Sequence, residues 1–165
     1  MTSPVPQQPW IDAKHVPLFV TASRPFPAEW IEAQCQAAER ASIANDSLDD
    51  KIQLTHISGD FVGWTPYKLA RDYVYPELFE KRTTYTFVSF VVLDDRSHED
   101  GKFVIVGVHP DSFKGKPLEL EATARMDVEC AVEMPIIFHD GHQGILAYGE
   151  AEPYDNDAEQ NSAQG

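Results

Sequence analysis

The sequence predicts an α/β domain: a central mixed β-sheet of about five strands covered by two to three helices, with α+β as the alternative class. Residues 83–109 hold two runs rich in β-branched and aromatic residues, free of proline and short enough to be strands. Within them, Val91-Val92-Leu93 and Phe103 to Val106 are continuously apolar, the pattern of strands covered on both faces. A helical stripe opened by proline lies between two strand-like segments upstream. At 165 residues the chain is one domain by length and buries about two thirds of its unfolded surface without staples.

The elements follow in order. Residues 1–14, rich in proline and glutamine, read as a disordered tail with Trp10-Ile11 as its one anchor. His15-Val-Pro-Leu-Phe-Val-Thr-Ala is a first strand, with Pro17 near its start. Pro27 opens a helix to about residue 44, with Glu29 in its first turn. Its stripe of Trp30, Ala33, Ala37, Ala41 and Ala44, with Ile31 and Cys35 beside it, has three-four spacing. Asn45 to Asp50 is a loop. Ile52-Gln-Leu-Thr-His-Ile alternates as a half-buried strand with His56 on the polar phase. Thr65-Pro66 supplies a cap and a first-turn proline for a helix ending at Tyr75, where Pro76 stops it; Leu69, Tyr73 and Val74 form its buried side. Residues 77–82 add another turn of helix.

After the central strands, Leu118-Glu-Leu-Glu is a short strand. The alternation Val128, Cys130, Val132, Met134, Ile136, Phe138 suggests another, at an edge because of Pro135; a helix through Leu120, Ala124, Val128 and Ala131 fits nearly as well. His139-Asp-Gly-His-Gln-Gly is a tight turn. The domain spans residues 15–150, and residues 151–165 form an acidic disordered tail, since their burial does not offset the cost of ordering them. Residues before about Trp10 and after about Glu152 are expected to be dispensable for folding.

The succession of strand, proline-initiated helix, strand, Gly-Asp-Phe-Val-Gly-Trp-Thr loop and helix, then Phe-Val-Val-Leu-Asp-Asp and Phe-Val-Ile-Val-Gly-Val, resembles a family of small bacterial and fungal α/β domains with no assigned function. The resemblance covers about residues 16–146 and includes an apolar strand ending in an acid like Asp94 and a late Asp140-Gly141 turn. Residues 125–134 depart from the family, lacking its asparagine-rich run. The resemblance implies a fold and no activity, substrate or catalytic residue.

Composition narrows function. Thirteen basic against twenty-seven acidic residues give a formal charge of -14, which repels nucleic-acid backbones and anionic lipid. Cys35 and Cys130 form no Cys-x-x-Cys pair and read as small hydrophobes, which fits a reducing compartment. With no leader-like start and no membrane-length apolar run, the expected location is cytoplasmic or nuclear.

Three groups are candidate sites. Asp94-Asp95 stands at the carboxyl end of a central strand, with His98 just beyond, where open α/β sheets bind ligands; a solvated hairpin turn explains the same residues. His139-x-x-His142, with His109, offers imidazoles, though a glycine turn does not aim two rings at one point as a helix does. Trp64, Tyr67, Tyr73 and Tyr75 present a binding face or pack the core. No P-loop, dinucleotide fingerprint or nucleophile elbow occurs, and no cofactor or metal is expected. The chain therefore reads as a small binding or protein-interaction module without catalytic activity, for a protein or small-molecule partner. The alternative is a metal-independent hydrolase, isomerase or lyase using the strand-end acids and histidines.

Overall fold

β1 (His15–Val20) is the second strand from one edge of the sheet, pairing in parallel with β2 (Gln53–His56) on one side and β3 (Ser89–Leu93) on the other. β3 is followed by antiparallel β4 (Phe103–Val108), β5 (Leu120–Met126) and β6 (Glu150–Ala151), giving the six-stranded order β2-β1-β3-β4-β5-β6. The computed structural model describes residues 13–42, 52–139, 141 and 143–154. The Trp10-Ile11 anchor, Ala44, the loop Asn45 to Asp50, Asp140, His142 and residues 155–165 lie outside the described residues.

β3 and β4 are buried throughout, as their unbroken apolar runs require. Because strand side chains alternate, β1, β3 and β4 present two apolar faces. On one face Phe19 meets Phe61, Tyr73 and Phe90 edge to face. On the other, Phe103 stacks on Trp30 of α1 (Ala28–Ala41), and Gly107 lies against Phe138. Helical segments thus cover both faces.

The buried side of α1 is Ile31, Cys35 and Ala38, with buried Ser42 just beyond the helix. The expected stripe is rotated by one position: Ala33 is exposed and Ala37 half-buried. The larger Ile31 and Cys35 gain more from burial than alanines do, and they set the helix's phase.

Thr65 caps α2 (Pro66–Leu69) as expected, its hydroxyl accepting from Lys68 N at 3.2 Å. Pro76 does not end the helical segment. From Ala70 the chain continues as a π-helix through Phe79, with Pro76 inside it. Proline breaks an α-helix through its clash with the carbonyl four residues back, and the wider π turn relieves that clash.

After β3, α3 (Ser97–Asp100) and a left-handed Gly101 make the short connection into β4. β5 begins at Leu120 and runs to Met126, later and longer than the strand expected at Leu118. The alternating stretch from Val128 is not a strand. It forms a 3-10 turn at Val128–Cys130 and then α4 (Glu133–His139). Val132, Ile136 and His139 are all buried at helical spacing, and Pro135 falls in the first turn, where its missing N–H has no helical partner. Residues 151–154, expected in the C-terminal tail, are joined to the sheet. β6 pairs with β5, Glu152 N donates to Thr123 O at 3.0 Å, and the Tyr154 hydroxyl donates to Glu121 O at 2.6 Å.

Gly107 is fixed by packing. A Cβ there would stand 2.4 Å from Cζ of Phe138, a ring with no exposed surface. Gly107→Ala is expected to cost about 1–3 kcal/mol through the displacement it forces. Urea denaturation checks this, and adding Phe138→Leu should recover part of the loss; an unchanged midpoint for the single variant would refute the contact.

Candidate functional site

In an open α/β sheet the binding crevice lies beyond the carboxyl ends of the parallel strands, here between the loops after β1 and β3. The protein bridges it. Asp95 Oδ1 accepts from Ser23 N at 2.6 Å and from Ser23 Oγ at 2.9 Å, and these bonds hold the Asp95 carboxyl below its usual range. His98 stacks flat on Phe26 at 3.8 Å, with Nε2 donating to Arg24 O at 2.9 Å. Asp94 Oδ1 accepts from Ser97 N and Oγ, and its Oδ2 pairs with Arg125 at 2.6 Å. Each of these side chains makes structural bonds.

The remaining histidines lie elsewhere. His109 follows β4, where Val108 N bonds Val88 O, at the end of the sheet opposite Asp94. Six residues of strand separate the two ends, about 20 Å. His109 Nδ1 accepts from Asp111 N at 3.2 Å and caps the turn Pro110–Phe113. His139 is 3% exposed, edge-on to Phe87, and burial pushes its pKa down to about 3. The structure therefore brings together Asp94, Asp95 and His98, and separates them from His109 and His139. Among the described residues, no group of three or more His, Cys, Asp or Glu side chains is placed to hold a metal ion.

The aromatic candidates mostly pack the core. Tyr67 is buried; Tyr73 contacts Phe19 and Phe61; Tyr75 stacks on Phe113. Trp64 is half-buried against Phe61, with Lys68 Nζ 4.7 Å above its ring.

A concavity that these residues do not reach runs between α1 and β2. Its volume is about 520 Å³. Phe26, Ile31, Cys35 and Leu54 supply apolar surface, and Glu32, Gln36, Glu39, Gln53, Thr55 and His56 supply polar groups. Glu39 Oε2 accepts from Leu54 N at 3.2 Å, so a carboxylate occupies an outward N–H of the edge strand. Burial, then Glu39 and Glu32, push the Cys35 thiol up to about 12, which keeps it protonated and non-nucleophilic. Burial lowers the pKa of His56, leaving the imidazole neutral at pH 7. The groove's ionised groups are thus carboxylates, suited to a cation. Glu32, Gln36 and Glu39 recur at i, i+4 and i+7, a second stripe beside the buried one, which sequence reasoning passes over as an ordinary solvated helix face.

These features define a single mixed α/β domain with a groove between its first helix and an edge strand. Comparison with protein-family models, with curated proteins and with solved structures found no match. No helix among the described residues is long and apolar enough to cross a membrane.

Proposed function

We propose that the chain is a non-catalytic binding module that takes a basic, extended segment of a protein partner in the groove between α1 and β2. The observation that carries this reading is the groove itself, apolar at its base and lined by Glu32 and Glu39, in a chain of net charge -14. Extended segments commonly dock beside sheet edges, and opposite charge raises the rate of encounter. The roughly 20 Å between Asp94 and His109 weighs against catalysis by the strand-end acids and histidines acting together. Cys35 and Cys130 are both free thiols, which supports a cytoplasmic or nuclear setting.

Calorimetric titration with a lysine-rich heptapeptide, against its glutamate counterpart, tests the proposal. The basic peptide should bind, and Glu32→Lys with Gln36→Lys, both exposed positions, should weaken it by about tenfold or more. Equal binding of the two peptides, or no effect of the substitutions, would sink it.

A further inference from the structure

The opposite edge of the sheet gathers three cations, Arg96, Lys102 and Arg125. β6 pairs with only two of the seven residues of β5, through Ala124↔Ala151 and Arg125↔Glu150. Beyond that short ladder and the Glu152 N to Thr123 O bond, side chains hold it. Arg125 Nε donates to Glu152 Oε1, Arg96 Nη1 lies 3.4 Å from the same oxygen, and Arg96 Nη2 lies 3.3 Å from Glu150 Oε1. Lys102 Nζ is 3.9 Å from Glu150 Oε2. Thr123 Oγ1 donates to Glu152 O. Asp94 and Asp100 belong to the same network, on Arg125 at 2.6 and 3.4 Å, and Asp100 also meets Arg96 at 3.4 Å. Without Glu150 and Glu152, the three cations outnumber the two remaining acids. This leaves a cationic excess at the Arg125 end of the β5 edge, with Glu121 and Glu119 farther along the same edge beside Tyr154.

The geometry points to this edge as a receptor for an acidic extended segment of another chain, with residues 150–154 acting as the ligand held in cis. In an extended segment, acids two residues apart share a face, so a Glu-x-Glu spacing sets both carboxylates toward Arg96 while the backbone adds a strand to β5. The cis segment demonstrates that fit with Glu150 and Glu152. Being tethered, it competes at an effective concentration on the order of millimolar, and a segment pairing with more of β5 displaces it. The surface is distinct from the α1–β2 groove, and its test does not depend on that reading.

The experiment uses the full chain with Glu150→Gln and Glu152→Gln, which weakens the cis contact while keeping the backbone. A fluorescent peptide of residues 148–156 is titrated by anisotropy at low salt. It should bind the double variant at least about tenfold more tightly than the wild-type chain, by relief of competition. The same peptide with glutamine at both glutamate positions should bind at least about tenfold more weakly, and about 0.5 M salt should weaken the acidic peptide further. A double variant that is folded by circular dichroism yet binds neither peptide, or both equally, overturns the proposal. Should the double variant not fold, the wild-type chain at millimolar peptide decides: amide shifts at residues 123–126 are expected, and their absence overturns it.

Discussion

Arg125→Met lowers the unfolding midpoint by about 6–20 °C, the largest loss expected from any single substitution outside the apolar core. Only 2% of Arg125 is exposed, and its guanidinium meets Asp94, Asp100 and Glu152. Burial alone works against the charge, but the bonds from Asp94 and Glu152 outweigh it and hold the group firmly protonated. Removing the cation leaves Asp94, Asp100 and Glu152 clustered beside buried strand with only the half-exposed Arg96 against two of them, and breaking such a pair from one side costs about 3–5 kcal/mol. For a domain of this size each kcal/mol moves the midpoint by about 2–4 °C. Thermal unfolding by circular dichroism checks the number. Adding Asp94→Asn and Glu152→Gln to the variant should recover part of the loss, because neutral groups of the same shape carry no mutual repulsion. Recovery would assign the cost to charge; a triple variant no better than the single one would assign it to lost packing of the arginine stem.

Stability should also fall on acidification through His139. Its folded pKa of about 3 lies below the unfolded value near 6.5, so the unfolded state binds the proton first. The contribution is fully present above about pH 6.5 and is lost as pH falls toward about 3. At pH 5 the loss amounts to about 2 kcal/mol. The physical cause is desolvation of the imidazolium in a pocket closed by Phe87, itself packed against Phe79 and Phe113. Urea denaturation at pH 7.5 and pH 5 measures the effect. Wild-type protein should lose about 2 kcal/mol more between the two conditions than His139→Leu does, since leucine removes this titration and leaves those of the carboxylates. Parallel losses in the two proteins would show that His139 accepts its proton without cost.

Much of the sheet is legible along the chain because its signals are local. The unbroken apolar runs of β3 and β4 report burial on both faces, and the Thr65-Pro66 pair reports a helix start through one hydroxyl and one missing donor. The alternation from Val128 to Phe138 misleads because a short apolar stretch satisfies both the two-residue and the 3.6-residue periods. Packing against Gly107, which leaves room for the Phe138 ring, is compatible with the helix. Pro76 misleads because the proline rule describes an α-helix and the chain there is wound more loosely.

By itself the sequence determined the α/β class, the order of the strands through β4, and the net acidity, since each follows from neighbouring residues or from composition. Only the tertiary structure decided which charges meet. Arg125 joins Asp94, Asp100 and Glu152 across sequence separations of 31, 25 and 27 residues, and no periodicity encodes a pairing over such distances. It likewise turned Glu32, Gln36 and Glu39 from a solvated helix face into the wall of a groove, because a polar stripe bounds a concavity only when another element, here edge strand β2, is laid beside it.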